Sequence, residues 1–298
     1  MSEYLWGPML AGYLFLGGLA GGAYVIGALV DLFKGDDYEV LSKSGVYVSF
    51  VSIVLGLVLL ILDLKRFQVD PLVILNAYRN FPGSIVSVGT WILTVFAVVS
   101  LMTALIWLFE GNQYARMILE IGGIVLGLSM CAYTGLLLAF ARGSPFWSSP
   151  FLPWTFVISG TLTGLAVSTF MIPVLAVFLP KAFSDFRELY ERKAKFTGIL
   201  NHTQKYVAIL IIVEMALVII ELATGHGQVE TLLTGSLSLM FYTYLIAGLL
   251  VPLGISYYVG KLGREGPITF FSMSGSLFIL VGGFLLRYTI LTAGQIFH

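Results

Sequence analysis

The sequence predicts an all-α integral membrane protein that crosses the bilayer eight times. Hydrophobic residues make up 58% of the chain and charged residues only 11%, and the mean hydropathy is +0.95. A soluble fold could not bury that much apolar surface. A spanning helix needs about 20 mostly apolar residues, and a helix satisfies its own backbone hydrogen bonds in lipid. Eight stretches meet this requirement, near residues 8–33, 47–64, 88–109, 117–141, 151–179, 205–223, 231–259 and 268–291.

The first span, near residues 8–33, follows no basic region or cleavage site, so it is expected to be a permanent helix rather than a signal peptide.

The eight spans are expected to form two four-helix bundles. Small residues at one-turn spacing occur in the first span at 17–21 and again in the fifth at 160–164, as in an internal repeat. The sequence therefore predicts one bundle over residues 1–141 and a second over 142–298. Mixed charges at 180–204 indicate an interfacial connector.

Basic residues predict the orientation of the protein, because cytoplasmic loops carry an excess of lysine and arginine. Eleven basic residues fall in loops on one side and four on the other. The first side is therefore expected to be cytoplasmic, and both termini are expected to face outward. The eleven are Lys34, Lys43, Arg116, Lys181, Arg187, Arg192, Lys193, Lys195, Lys205, Lys261 and Arg264, against Lys65, Arg66, Arg79 and Arg142.

The scarcity of metal-ligating residues excludes most redox centres within this protein. Cys131 is the only cysteine, so neither an internal disulfide nor an Fe–S cluster held by this sequence alone can form. The three histidines lie at span ends, in loops or at the terminus, which leaves no deep pair to hold a haem. The formal net charge is zero, so no nucleic-acid partner is indicated. Any redox cofactor must belong to a partner protein.

Several polar side chains inside the spans converge on the outer leaflet, where intramembrane polar groups are expected to be functional. A quinone headgroup needs hydrogen-bonding groups near its oxygens and a titratable group to relay protons. Small residues such as Gly17 and Gly21 could open a slot for the tail. The predicted quinone-binding residues are Tyr13, Gly17, Gly21, Asp63, Tyr133 and Arg287.

Structural alternatives remain open for several of these residues. Asp63 could pair with Lys65 or Arg66 at the interface, Arg287 could neutralise a carboxylate such as Glu221, and Tyr13 could be an interfacial aromatic. Tyr133 is too deep for that aromatic belt, so its hydroxyl needs a partner.

Carboxylates elsewhere in the spans have two interpretations. Glu214 lies near the middle of the sixth span, seven residues before Glu221 and on nearly the same helix face. These two residues are predicted to form a proton relay, although Glu214 could instead be a protonated structural group. Asp31, Glu110 and Glu120 lie at inner span ends and are expected to be solvated charges.

Proline, glycine and aromatic residues in the outer loops 65–87 and 142–150 indicate an ordered surface. One interpretation is a docking face for an extracytoplasmic partner, and the other is ordinary interfacial aromatics at the headgroups. The predicted docking residues are Arg66, Arg79, Phe81, Trp147 and Trp154.

Four blocks of the sequence resemble the NrfD/PsrC family of polysulfide-reductase-type membrane subunits. They are the segment 13–24 (Tyr-Leu-Phe-Leu-Gly-Gly-Leu-Ala-Gly-Gly-Ala-Tyr), the Asp-Leu-Lys-Arg-Phe of 63–67, the Tyr-Thr-Gly-Leu-Leu of 133–137 with its following Pro-Phe-Trp loop, and the Gly-Gly-Phe-Leu-Leu-Arg-Tyr of 282–288. They occur in family order and cover nearly the whole sequence.

The resemblance implies a quinone- or quinol-reactive anchor of a multi-subunit oxidoreductase in the inner membrane, using menaquinone or ubiquinone. It implies two partners on the extracytoplasmic face: a four-cluster ferredoxin-like Fe–S subunit and a molybdopterin catalytic subunit. By family position, Tyr133 matches the tyrosine expected to touch the quinone. Tyr13 falls where some members carry a histidine, which makes it a weaker proton acceptor.

Two further functions fit the sequence without the resemblance. A secondary transporter would use paired halves and buried carboxylates such as Glu214 and Glu221, but Pro173 and Pro252 are the main signs of broken helices. An inert anchor would only tether its partner.

Overall fold

The computed structural model describes residues 7–63, 73–140, 147, 149–224, 229–262 and 267–295, and these residues are mostly helical, with no β-strand among them. The α-helices are α1 (Pro8–Lys34), α2 (Glu39–Asp63), α3 (Val73–Arg79), α4 (Ile85–Leu108), α5 (Gln113–Ala139), α6 (Leu152–Phe178), α7 (Ser184–Glu191), α8 (Lys193–Thr224), α9 (Val229–Leu233), α10 (Ser238–Thr243), α11 (Val251–Leu262) and α12 (Ile268–Ala293). A 3₁₀ turn covers Gly35–Tyr38, and a π-helical segment, Tyr244–Leu250, joins α10 to α11.

Eight helices within the described residues are long and apolar enough to cross a membrane, which confirms the predicted fold class. They are α1, α2, α4, α5, α6, α8, the continuous run Ser238–Leu262 and α12. Their outer faces carry large exposed apolar side chains, as lipid contact requires. Examples are Val54 on α2, Val98 on α4, Ile118 on α5, Ile219 on α8 and Val281 on α12.

Two helices begin earlier than the hydropathy of the sequence predicts. α2 begins at Glu39 rather than near 47, and α8 begins at Lys193 rather than near 205. In both cases the first turns are polar, so an apolar window misses them although the backbone is already helical. The predicted connector therefore divides in two. Its first part contains α7, which buries Phe186 and Leu189, and its second part is the start of α8.

α1 and α6 occupy the centre of the fold. α1 packs against α2, α5, α6 and α12, while α6 packs against α1, α2, α5, α8 and α12. Glycines bring these two backbones together, because a Cβ on Gly22 would overlap the backbone of Gly160. The division into two bundles stays a prediction, since the central pair joins the two halves closely.

Ion pairs tie the loops together at the membrane end opposite the two termini. Lys43 of α2 bonds both Asp185 of α7 at 2.5 Å and Glu39 at 2.7 Å. The hydrogen bond from Lys43 lowers the pKa of Asp185 below its ordinary value. The first turns of α7 are thereby held against α2.

Candidate functional site

Two buried tyrosine side chains lie within electrostatic range of each other among the first four membrane helices. Tyr13 projects from α1 and is 3% exposed, and Tyr133 projects from α5 and is 5% exposed. The two phenols are close enough to interact electrostatically. Neither hydroxyl has a hydrogen-bond partner among the residues that the structure describes. A buried phenol normally finds such a partner, so this pair retains hydrogen-bonding capacity for a group from outside the protein.

Both tyrosines lie near the same membrane end, the one that carries the two termini. Tyr13 follows the first residue of α1, Pro8, by five positions, and Tyr133 precedes the last residue of α5, Ala139, by six. At 1.5 Å per residue, each lies roughly 8–9 Å from its helix end. Their positions along the helices agree with the depth that the sequence predicts for them.

Gly89 of α4 makes the recess in which the Tyr133 ring sits. A Cβ at Gly89 would fall on the ring and hydroxyl of Tyr133. Across the bundle, a Cβ on Gly56 of α2 would lie 3.8 Å from Cδ2 of Tyr13. Sequence reasoning missed both glycines, because a single small residue in an apolar span does not reveal which side chain faces it.

Gly17 and Gly21 do not leave the slot that was expected for a quinone tail. A Cβ on Gly17 would lie 2.7 Å from Cε of Met130, and one on Gly21 would overlap the backbone of Gly127. Both partner residues belong to α5. The two glycines therefore serve close packing of α1 on α5, and the space beside them is already filled.

Arg287 of α12 is completely buried where three helices meet. Its Nη1 donates to the Ser159 hydroxyl of α6 at 3.2 Å and to its own helix at the Gly283 carbonyl at 2.8 Å. Its Nε donates to the Leu14 carbonyl of α1 at 3.2 Å. The guanidinium also lies over the Phe156 ring, 5.2 Å from the centroid. Nη2 has no partner among the described residues.

Arg287 forms no ion pair with Glu221 within the part of the sequence described. Glu214 is the carboxylate that interacts with it electrostatically, and Ser159 lies between the two groups. The guanidinium thus belongs to a polar cluster with Ser159 and Glu214, and no hydrogen bond joins it to Tyr13 or Tyr133 among the described residues.

Glu214 of α8 is 1% exposed and accepts a hydrogen bond from the Tyr244 hydroxyl at 2.9 Å. Tyr244 begins the π-helical segment, and such segments are frequent at functional sites. The other carboxylate oxygen, Oε2, has no hydrogen-bond partner among the described residues. Glu214 therefore bridges α8 and the seventh span while keeping one oxygen available.

Glu221 lies two turns further along α8 and is partly buried. Its Oε1 accepts a hydrogen bond from Thr155 at 2.9 Å. A cavity of about 30 Å³ is lined by both Glu221 and Tyr244. About 10–15 Å³ of such space holds one water molecule. The cavity therefore has room for about two water molecules between Glu221 and Tyr244, the residue that bonds Glu214.

The predicted docking residues differ in exposure. Arg79, Phe81 and Trp154 are exposed on the side of the two termini, and Phe81 belongs to an aromatic group with Trp91. Trp147 departs from the expectation, because its indole is 3% exposed and donates to the Ile290 carbonyl at 2.9 Å. The Trp147 ring therefore packs against α12, and a docking role for it stays a prediction.

Three predicted residues lie at the end of α2 or just beyond it. Asp63 is the last described residue of α2 and is partly buried. Lys65 and Arg66 lie outside the described residues, so their pairing with Asp63 stays a prediction.

The sequence did not predict a buried group of charged residues at the opposite membrane end, formed by Asp31, Arg116 and Glu120. Glu120 was expected to be solvated, yet it is 0% exposed. Arg116 lies one turn before it, with Nε 3.8 Å from Glu120 Oε1 and 3.0 Å from Asp31 Oδ2, and stacks 3.7 Å from the Trp107 ring centroid. The i,i+4 spacing of Arg116 and Glu120 could have predicted their pairing. The burial of Glu120 could not be predicted in the same way, because it depends on the packing of neighbouring helices such as α4.

The fold and these groups define a multi-pass helical membrane protein with polar side chains buried in both halves. The chain belongs to the NrfD family: the family described as "Polysulphide reductase, NrfD" matches residues 1–298. The resemblance inferred from the four sequence blocks is thereby confirmed.

Named relatives agree with this assignment. The sequence is 28% identical to a polysulfide reductase chain of Wolinella succinogenes over 322 residues, covering 99% of this protein and 96% of the relative. It is 27% identical to a protein NrfD homolog of Haemophilus influenzae, covering 98% of this protein and 95% of the relative. A selenate reductase subunit of Mesobacillus selenatarsenatis is 23% identical over 238 residues, covering 65% of this protein and 54% of the relative.

Proposed function

We propose that this protein is the quinone-reactive membrane subunit of an oxidoreductase complex. The observation that carries the proposal is the pair of buried phenols, Tyr13 and Tyr133, whose hydroxyls have no partner among the described residues. Two neighbouring phenols in apolar surroundings suit a ligand with two oxygen functions and an apolar body. The names of the relatives, which include a polysulfide reductase and a selenate reductase, support a role in a reductase complex.

A quinol supplies two electrons and two protons when it is oxidised, and the protein's own residues handle the binding and the protons. The Tyr133 hydroxyl donates to one ligand oxygen from the recess at Gly89, and Tyr13 serves as the second contact. Tyrosine is a poor base at neutral pH, so proton release needs a carboxylate. Asp63, at the same membrane end, is the residue proposed for that step.

The second half of the protein is proposed to relay protons through Glu214 and Glu221. The two carboxylates lie on the same face of α8, and the small cavity beside Tyr244 has room for bridging water. Ser159 accepts a hydrogen bond from Arg287, and both residues interact with Glu214 and provide its polar surroundings. A buried carboxylate can pass a proton because burial brings its neutral and charged forms closer in free energy.

The partners proposed from the family are a four-cluster ferredoxin-like Fe–S subunit and a molybdopterin catalytic subunit. Their docking surface is proposed at the membrane end of the two termini, where Arg79, Phe81 and Trp154 are exposed. Arg66 is assigned to the same surface from the sequence. The tyrosine pair lies near that end, so electrons need to cross only the last turns of the helices. The excess of basic residues at the other end supports an extracytoplasmic position for these partners.

The test is quinol-coupled turnover of the whole complex with Tyr133→Phe and Tyr13→Phe. Tyr133→Phe is expected to lower quinol-coupled activity at least tenfold, while the activity of the catalytic subunit with an artificial donor stays unchanged. Tyr24→Phe is the matched control: Tyr24 is also buried in α1, but its hydroxyl already bonds Thr103 at 2.7 Å. Equal losses in all three variants, or loss of both activities together, would contradict a quinone site at Tyr133.

The secondary transporter remains the competing function, with the buried Glu214 cluster in its favour. Reconstitution of the protein alone in vesicles separates the two. Solute uptake driven by a proton gradient and abolished by Glu214→Gln would replace the proposal. Uptake at the level of empty vesicles is the result expected for a redox subunit.

A further inference from the structure

A groove of about 470 Å³ lies at the membrane end opposite the tyrosine pair. It runs between α1, α6 and α8, and Tyr38 of the 3₁₀ turn also lines it. Its walls are almost wholly apolar, and its size is within the range of known ligand pockets, about 300–1,000 Å³. The apolar lining includes Ile26, Leu29, Leu165, Ile209 and Leu210. Neither Tyr13 nor Tyr133 lines it, so this groove is distinct from the proposed quinone site.

The mouth of the groove is polar and positively charged. Lys34, Tyr38, His202 and Tyr206 line it, and the Tyr38 hydroxyl and Nδ1 of His202 form a hydrogen bond of 3.2 Å. Lys34 lines the groove, and Lys205 follows His202 by three positions on α8; both lysines act electrostatically on His202.

The two lysine charges at the mouth have no ion-pair partner among the residues that the structure describes. Lys34 and Lys205 are exposed, and neither has a carboxylate within 4.0 Å among the described residues. Asp37, an acid of the adjoining turn, is already engaged by Lys195 at 3.2 Å. Among the side chains that the structure describes, Lys34 and Lys205 therefore place unpaired positive charge at the mouth of the apolar groove.

We propose that the groove binds a membrane phospholipid with an anionic headgroup. The phosphate lies at Lys34, Lys205 and His202, and one acyl tail lies along the apolar wall. From Lys34 to Ile26 the wall follows α1 for about 12 Å at 1.5 Å per residue, which accommodates most of one tail. Basic pockets between membrane helices on the cytoplasmic side bind anionic lipid headgroups, and basic residues predict that this end is cytoplasmic. A quinone would not need the two lysines.

The proposal is tested by native mass spectrometry of the protein with its co-purifying subunits in mild detergent. The probes are phosphatidylglycerol and phosphatidylcholine with identical acyl tails. Each lysine near an anionic lipid headgroup contributes about fivefold in affinity, so two lysines predict a preference of about 25-fold for phosphatidylglycerol. The double variant Lys34→Gln/Lys205→Gln is expected to reduce this preference to about threefold or less.

Two further variants separate the headgroup site from general lipid contact. Lys261→Gln, at the inner end of α11 and outside the groove, is the matched control and should keep the full preference. Ile209→Trp is designed to fill the groove from its rim, since Ile209 is 56% exposed; it should reduce retention of both lipids.

Three results would overturn the proposal. The first is a double variant that keeps its preference for phosphatidylglycerol. The second is retention of both lipids that is unchanged by Ile209→Trp. The third is a quinone in the organic extract that disappears in Ile209→Trp but persists in Tyr133→Phe, since it would assign the groove to quinone.

Discussion

Removal of the Tyr244 hydroxyl is expected to destabilise the protein by about 1–2 kcal/mol. Tyr244→Phe keeps the ring but deletes the donor that bonds Glu214 Oε1 at 2.9 Å. Both residues are 1% exposed, and Oε2 already has no partner among the described residues, so the variant leaves both oxygens unsatisfied. Interhelical hydrogen bonds in a membrane protein average about 0.6 kcal/mol and reach about 1.7. Leaving a buried acceptor unsatisfied costs about 1–3 kcal/mol, which places this bond at the upper end.

The assay is reversible unfolding in mixed detergent and sodium dodecyl sulfate micelles, followed by circular dichroism. A double-mutant cycle with Glu214→Met isolates the pair, because methionine has a similar shape and no hydrogen-bonding oxygen. The expected coupling free energy is about 1 kcal/mol. Tyr242→Phe, two residues away and 43% exposed, should change stability by less than about 0.3 kcal/mol. A coupling free energy below about 0.3 kcal/mol would refute the assignment of Glu214 and Tyr244 as an interdependent pair.

Three further substitutions test the packing and the connector by the same unfolding assay. Gly22→Val should cost about 3 kcal/mol or more, since its side chain would overlap the Gly160 backbone; stability near wild type would show that the helices can separate. Trp147→Phe should cost about 1 kcal/mol through the lost hydrogen bond while partner subunits still co-purify, and release of the partners would instead favour a docking role. Asp185→Asn should cost about 0.5 kcal/mol or less at pH 7, because the bond to Lys43 is half exposed. That bond lowers the pKa of Asp185, so its contribution is present above the ordinary value of 3.8 and fades as the pH falls below it; the difference in stability between the variant and wild type should therefore shrink as the pH is lowered below 3.8.

Hydropathy and helix direction were sufficient to predict the fold class and the depth of Tyr13 and Tyr133 in the membrane. Tyr13 and Tyr133 lie in different helices, 120 positions apart in sequence. Counting residues from each span end nevertheless placed both near one membrane face. Depth follows from the 1.5 Å rise of a helix, so it is readable without knowledge of helix packing.

Side-chain partners were not readable, because they depend on how the helices rotate and approach. Tyr244 begins the π-helical segment and bonds Glu214, yet the apolar sequence before Pro252 gives no sign of that segment. Glu120 resembled a solvated helix end until the packing of neighbouring helices covered it. Glycines had the opposite ambiguity: Gly17 and Gly21 fitted both an open slot and close packing, and only the position of α5 separates these outcomes.

The contact between α1 and α6 limits how the two halves of the protein can move. Gly22 and Gly160 meet backbone to backbone, and main-chain atoms have no rotamers with which to absorb a change of crossing angle. A rocking cycle of the kind that carries solutes changes that angle on every turnover. Electron delivery makes no such demand, because its rate depends on a separation that stays constant. A rigid contact between α1 and α6 is therefore compatible with a protein that transfers protons and electrons without rearranging its helices.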